Sequence, residues 1–153
     1  MTQNSIWKEE VDLPRVNEIA KGSMLDYLGI EFTEVGPDFL RASMPVDHRT
    51  KQPFGILHGG ASVVLAESIG SMAANLCIGL KNKAAVGLDI SANHIRQVVE
   101  GRVIGTARPL HIGGRTQVWE IRIENERGQL VCVSRLTILV VNRLASGAAQ
   151  QAG

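Results

Sequence analysis

An α+β domain, in which an antiparallel sheet covers one central helix, is predicted by three features of the 153-residue chain. One stretch, from Leu57 to about Leu80, is both long and apolar enough for a buried helix. Two short alternating runs come before it, and four runs of β character follow it. The expected order is an N-terminal helical region, two strands, the long helix and four strands.

Each element has its own signal. In Leu13 to Leu28, Val16, Ile19, Ala20 and Met24 roughly follow helical spacing, and Gly29 can stop the helix. "IEFTEVG" and "DFLRASMPV" are separated by Gly36-Pro37-Asp38, and Leu40, Ala42, Met44 and Val46 alternate with Arg41 and Ser43, the pattern of a hairpin. "DHRTKQPFG" is polar and broken by Pro53 and Gly55, so it reads as a loop delivering the chain to the long helix. After "GLKNK" come "AAVGLDISANHI", "EGRVIGTARPLHI", "RTQVWEIRIENERG" and "QLVCVSRLTILVV". In the third of these, Trp119, Ile121 and Ile123 alternate with Val118, Glu120, Arg122 and Glu124, as in a strand with one wet face, and "NERGQ" supplies its turn. One domain over 1–142 is expected. The remainder, 143–153, ends in small residues without periodicity and reads as a disordered tail.

Composition narrows the function. A net charge of +1, with 20% charged and 44% apolar residues, gives no sign of nucleic-acid binding or of a disordered chain. The N-terminal residues lack the features of a signal peptide, and no run reaches the roughly 18 apolar residues of a membrane span, so a cytoplasmic protein without a membrane partner is expected. Cys77 and Cys132, far apart in apolar surroundings, read as buried free thiols. The four histidines, His48, His58, His94 and His111, have no HxxxH or HExxH spacing, so neither a metal nor another cofactor is expected.

The segment "QPFGILHGGASVVLAESIG" carries the chemistry. The long helix is apolar nearly all round, which buries it on most sides, yet it holds Glu67 at its middle. A carboxylate in such a setting must find donors or a function. Glu67 shares its face with Gly60, Val63, Gly70 and Ser71, mostly small neighbours that leave room for another backbone or a ligand. The same pattern also fits a glutamate paired inside a subunit interface, with Ser71 an ordinary helix serine. At the helix entrance, His58, Gly59 and Gly60 offer amide groups without intrahelical partners, suited to a developing oxyanion. "HGG" equally serves as a tight turn into a helix.

Glu67 lies nine residues beyond His58, about 13 Å along a helix axis and about half a turn round. One chain does not easily bring both to one substrate atom. If both act in one site, two copies of the helix run antiparallel across a two-fold axis, and an obligate homodimer carries two shared sites.

The stretches "MPVDHRTKQPFGILHGGASVVLAESIGS", "SANHIR" and "PLHIGGRTQVWEI" resemble the hotdog-fold acyl-CoA thioesterases, the group that includes the Arthrobacter-type 4-hydroxybenzoyl-CoA and phenylacetate-pathway enzymes. Their motifs are most similar to the bacterial thioesterases of menaquinone synthesis, which act on 1,4-dihydroxy-2-naphthoyl-CoA, and of enterobactin proofreading. The resemblance spans about 6–140. It implies a curved antiparallel sheet wrapped round one helix, and a dimer that commonly pairs into a tetramer. It implies that Glu67 is the catalytic carboxylate, as nucleophile or general base, and that the Gly59 N–H polarises the thioester carbonyl. Gln52 and His58 would stand nearby from the opposite subunit, with Ser71 positioning water or substrate. The CoA nucleotide would lie near His94, Arg96, Gly113, Gly114 and Arg115, whose cations and loop amides suit phosphates. An acyl pocket is expected near Phe54, Val63, Met72 and Leu76. An aromatic or medium acyl-CoA is thus the expected substrate; a hotdog hydratase or dehydratase, or a non-catalytic acyl-CoA sensor, would use related pockets.

Overall fold

The computed structural model describes residues 4–79 and 81–143. Two short helices open the chain, α1 (Leu13–Ala20) and α2 (Met24–Tyr27). The single helical region expected there is divided because Gly22 adopts a positive φ of 74° and Ser23 caps a new helix through its hydroxyl oxygen, which accepts from Leu25 N–H. β1 (Glu31–Val35) and β2 (Leu40–Pro45) form the predicted hairpin. They are followed by α3 (Gly59–Leu76), β3 (Lys83–His94), β4 (Arg102–Ile112), β5 (Thr116–Asn125) and β6 (Leu130–Asn142). The expected count and order of strands hold. Leu80, expected at the end of the long helix, and 144–153, nearly all of the expected tail, lie outside the described residues.

The six strands make one curved antiparallel sheet in the order β1-β2-β4-β5-β6-β3, so β1 and β3 are its edges. α3 lies against β2 to β6. Its Leu65, Ala66, Ile69, Ala73 and Ala74 are fully buried against Leu40, Met44, Val103, Ile121, Ile123, Leu136 and Ile138. Each large apolar side chain so buried contributes about 1.5–3 kcal/mol before the entropy of ordering it is subtracted. Two glycines set how closely helix and sheet approach. A Cβ on Gly70 would fall 2.6 Å from Leu136 Cδ2, and one on Gly105 would fall 2.5 Å from Ile69 Cδ1.

Trp119, Ile121 and Ile123 occupy the buried face of β5 as the alternation predicts. Gln117 shares that face, fully buried; its Oε1 accepts from the Trp119 indole N–H at 2.8 Å, while its Nε2 has no partner among the described residues. Trp7 stacks on Trp119 and donates its own indole N–H to Gly36 O, tying the N-terminal segment over the β1–β2 turn. Both cysteines are free thiols, and burial pushes Cys77 up to about 11. No helix among the described residues is long and apolar enough to cross a membrane.

Candidate active site

The approach to α3 is more ordered than its polar sequence predicts. Asp47 O accepts from the Thr50 and Lys51 N–H groups, and the chain then folds back on itself between Gln52 and Ile56, where Gly55 supplies a φ of 81°. Phe54, at the tip, is 91% exposed. Gln52 is half-buried, and its Oε1 accepts from Phe54 N–H, which leaves the side-chain NH2 to donate elsewhere. Thr50 O holds the His58 N–H at 2.8 Å, so this turn fixes where the helix begins.

His58 is the N-cap of α3. Its Nδ1 accepts from Gly60 N–H at 2.7 Å, so in the neutral ring the proton sits on Nε2, which is the group free to donate. The Gly60 amide is thereby occupied, while the Gly59 N–H meets no acceptor among the described residues. Gly59 thus presents an unengaged amide at the positive end of the helix dipole. Gly59 is crowded on its other side: a Cβ there would lie 2.8 Å from His94 Nε2. His94, the last residue of β3, thus stands beside the helix entrance of its own chain.

Glu67 is half-buried at the middle of α3, where the helix meets the sheet edge formed by β3. Ser71, one turn on, donates its hydroxyl toward Glu67 Oε1 at 3.4 Å. Ser68, by contrast, bonds back to Val64 O, as helix serines commonly do. The far side of the carboxylate is bare backbone. A Cβ on Gly87 would lie 3.0 Å from Glu67 Cδ, 3.4 Å from Oε2 and closer still to Oε1. Sequence reasoning missed Gly87, although a glycine inside the run "AAVGLDI" signals a bulge or a close backbone approach. It also missed Asn75, which continues the Glu67–Ser71 stripe by one more turn and bonds to β3.

Other expected groupings are divided within one chain. Gly59 and Glu67 are eight residues apart on one unbroken helix, about 12 Å along its axis. His94 pairs with Cys132, whereas Thr116, next to the Gly113–Arg115 turn, pairs with Leu139 of the same strand β6. Seven residues of strand put these levels about 23 Å apart, so His94 and Arg96 do not meet Gly113, Gly114 and Arg115 in one copy. Arg96 is exposed and lines a cleft with Arg102, Glu126 and Arg127. Met72 and Leu76 pack against the chain's own core, Val63 is half-buried, and exposed Phe54 stands apart from them.

Comparison with known proteins gives the arrangement a family. Residues 54–132 match the model of the thioesterase superfamily. The chain is 55% identical over 136 residues to the 1,4-dihydroxy-2-naphthoyl-CoA hydrolase of Escherichia coli (strain K12), covering 89% of this chain and 99% of that protein. It is 48% identical to the proofreading thioesterase EntH of Cronobacter turicensis, covering 89% of this chain and 98% of that protein. The crystal structure of a thioesterase from Haemophilus influenzae superimposes with a TM-score of 0.89 at 49% identity, covering 93% of this chain and 99% of that one. A hotdog sheet round one helix, a carboxylate at the middle of that helix and relatives of this likeness lead to one conclusion: the chain belongs to the thioesterase superfamily and is a thioester hydrolase.

Proposed function

We propose that this protein hydrolyses acyl-CoA thioesters to free acid and CoA, acting on aromatic acyl groups, 1,4-dihydroxy-2-naphthoyl foremost, and on medium acyl chains. The observation that carries the mechanism is Glu67, a half-buried carboxylate in an otherwise apolar helix, resting on glycine backbone at a sheet edge. The relative named a 1,4-dihydroxy-2-naphthoyl-CoA hydrolase supports the choice of acyl group. Glu67 either attacks the thioester carbonyl, forming an anhydride that water then hydrolyses, or takes a proton from the water that attacks; in both cases the carbonyl oxygen gathers negative charge as the nucleophile adds and returns it as the thiolate leaves. The unengaged Gly59 N–H suits that oxygen, and preorganised donors of this kind are worth about 10²–10³ in rate. His58 Nε2–H and the Gln52 NH2 are further donors at the same entrance.

Glu67 and Gly59 lie too far apart in one chain, so the site is shared between two copies. β3 is the surface through which they join. Its outer edge has no strand partner among the described residues, and it exposes Val86 and Leu88. Antiparallel pairing of two β3 edges centred between Ile90 and Ser91 sets Gly87 of one copy opposite His94 of the other. That register brings the carboxylate of each copy to the helix entrance of its partner. It also carries His94 and Arg96 of one copy toward the Gly113–Arg115 turn of the other, where CoA phosphates would lie.

The test is thiol release from a panel of acyl-CoAs by wild type and Glu67→Gln, with 1,4-dihydroxy-2-naphthoyl, benzoyl, hydroxybenzoyl, phenylacetyl and fatty acyl donors. Wild-type turnover that falls by orders of magnitude in the variant is expected. Equal release by both proteins would return Glu67 to a structural role, and binding without release would favour a sensor. A protein that is monomeric in sedimentation yet fully active would defeat the shared site.

A further inference from the structure

We infer that Asn75 and Gly87 position the Glu67 carboxylate, Asn75 by clamping strand β3 to helix α3 and Gly87 by leaving the space in which the carboxylate lies. The inference rests on Glu67 being the group that carries the reaction.

Asn75 stands two turns beyond Glu67 on the same stripe of α3. Its Oδ1 accepts the Ala85 N–H at 2.9 Å, and its Nδ2 donates to Ala85 O at 3.0 Å. One side chain thus engages both polar groups of one strand residue, as a neighbouring strand would. The same Nδ2 donates to Ser71 O at 2.8 Å, which ties the clamp to the turn that presents Ser71 to Glu67. The strand so held reaches Gly87 two residues later, on the same face as Ala85.

At that point the register of β3 against β6 shifts. Gly87 pairs with Ile138 and Asp89 with Thr137, so Leu88 is the extra residue of a bulge. Without the bulge, Asp89 would share the inward face of Gly87 and bring a second carboxylate toward Glu67. With it, Ile90 packs against the core and Asp89 is exposed. The bulge therefore keeps this strand's own acid out of the site, and the glycine keeps a side chain out of it.

A methyl group at position 87 would displace the Glu67 carboxylate, since it would sit 3.0 Å from Cδ and closer to Oε1. Gly87 is not among the glycines with positive φ, so alanine fits its backbone. Misplacing a reacting group by about 1 Å costs on the order of 10²-fold.

The experiment measures kcat and KM for thiol release from benzoyl-CoA or a hydroxynaphthoyl-CoA. The proteins are wild type, Gly87→Ala, Asn75→Ala, Glu67→Asp, Glu67→Gln and the double variant Gly87→Ala/Glu67→Asp. Expected is a loss of about 10²-fold in kcat for Gly87→Ala and a smaller loss for Asn75→Ala, with KM little changed. Glu67→Asp is expected to cost much less in the Gly87→Ala background than alone, because the shorter acid clears the added methyl. Additive losses in that cycle, or wild-type kcat in Asn75→Ala and Gly87→Ala, overturn the inference. Should Gly87→Ala fail to fold, Asn75→Ala decides by its kcat alone. Glu67→Gln separates the two readings: if it keeps full turnover, the catalytic role of Glu67 itself is lost.

Discussion

Replacing Gly59 by alanine should separate stability from activity. The residue opens α3 with ordinary helical backbone, so a methyl group there is not strained by φ. Alanine also favours helix over glycine by up to about 1 kcal/mol. The obstacle is His94, whose Nε2 would lie 2.8 Å from the new Cβ, with Cε1 at 3.1 Å and Cδ2 at 3.2 Å. Ordinary contact begins near 3.4 Å, so ring and helix entrance must part by roughly 0.6 Å. His94 is exposed and can swing aside, so the melting temperature should hold or rise slightly. The cost falls on the approach to the Gly59 N–H, now beside a methyl group and a displaced imidazole. If that amide holds the developing oxyanion, kcat/KM should fall by about 10²–10³. Continuous thiol detection with an aromatic acyl-CoA, alongside thermal melts of both proteins, gives the two numbers. Wild-type kcat/KM in a folded Gly59→Ala protein would refute the reasoning.

Gly70→Ala should behave in the opposite way. Its Cβ would meet Leu136 Cδ2 at 2.6 Å and Ile121 Cδ1 at 3.3 Å, both in side chains with no exposure and nowhere to move. Overpacking of about 1–3 kcal/mol outweighs the helix gain of about 1 kcal/mol, so the melting temperature should drop by a few degrees, and a rise would contradict the packing argument. Asp47→Asn probes the turn before α3. The Arg49 guanidinium, hydrogen-bonded to Asp47, holds that carboxyl down at about 2. A depressed acid adds stability above its unfolded value of about 3.9 and loses it as pH falls toward 2. The variant should therefore melt below wild type at neutral pH, with the gap closing between about pH 4 and 2. A gap that persists unchanged to pH 2 would assign the loss to something other than this ion pair.

The sequence by itself determined which elements the chain builds and which face of the central strands turns inward, although Ile19 and Met24 of the N-terminal helical spacing are exposed and Ser43 is buried. The alternation of Leu40, Ala42 and Met44, and that of Trp119, Ile121 and Ile123, name the buried faces of β2 and β5, because a strand turns over at every residue. The lone acid in an apolar helix named Glu67 for the same reason: local pattern reports burial, and a carboxylate there is out of place. The break between α1 and α2 and the tight turn at Gly55 were less legible, since each depends on the positive φ of one glycine. Tertiary structure alone decided what each face meets. β3 crosses to the far edge beside β6, and only that placement sets Gly87 against Glu67, His94 over Gly59 and Ala85 within reach of Asn75. Within one copy it also parts His94 and Arg96 from the Gly113–Arg115 turn, which the family resemblance groups. Periodicity carries no information on such pairings. They join residues far apart along the chain, and the free energy that selects them belongs to the closed sheet and its packed helix as a whole.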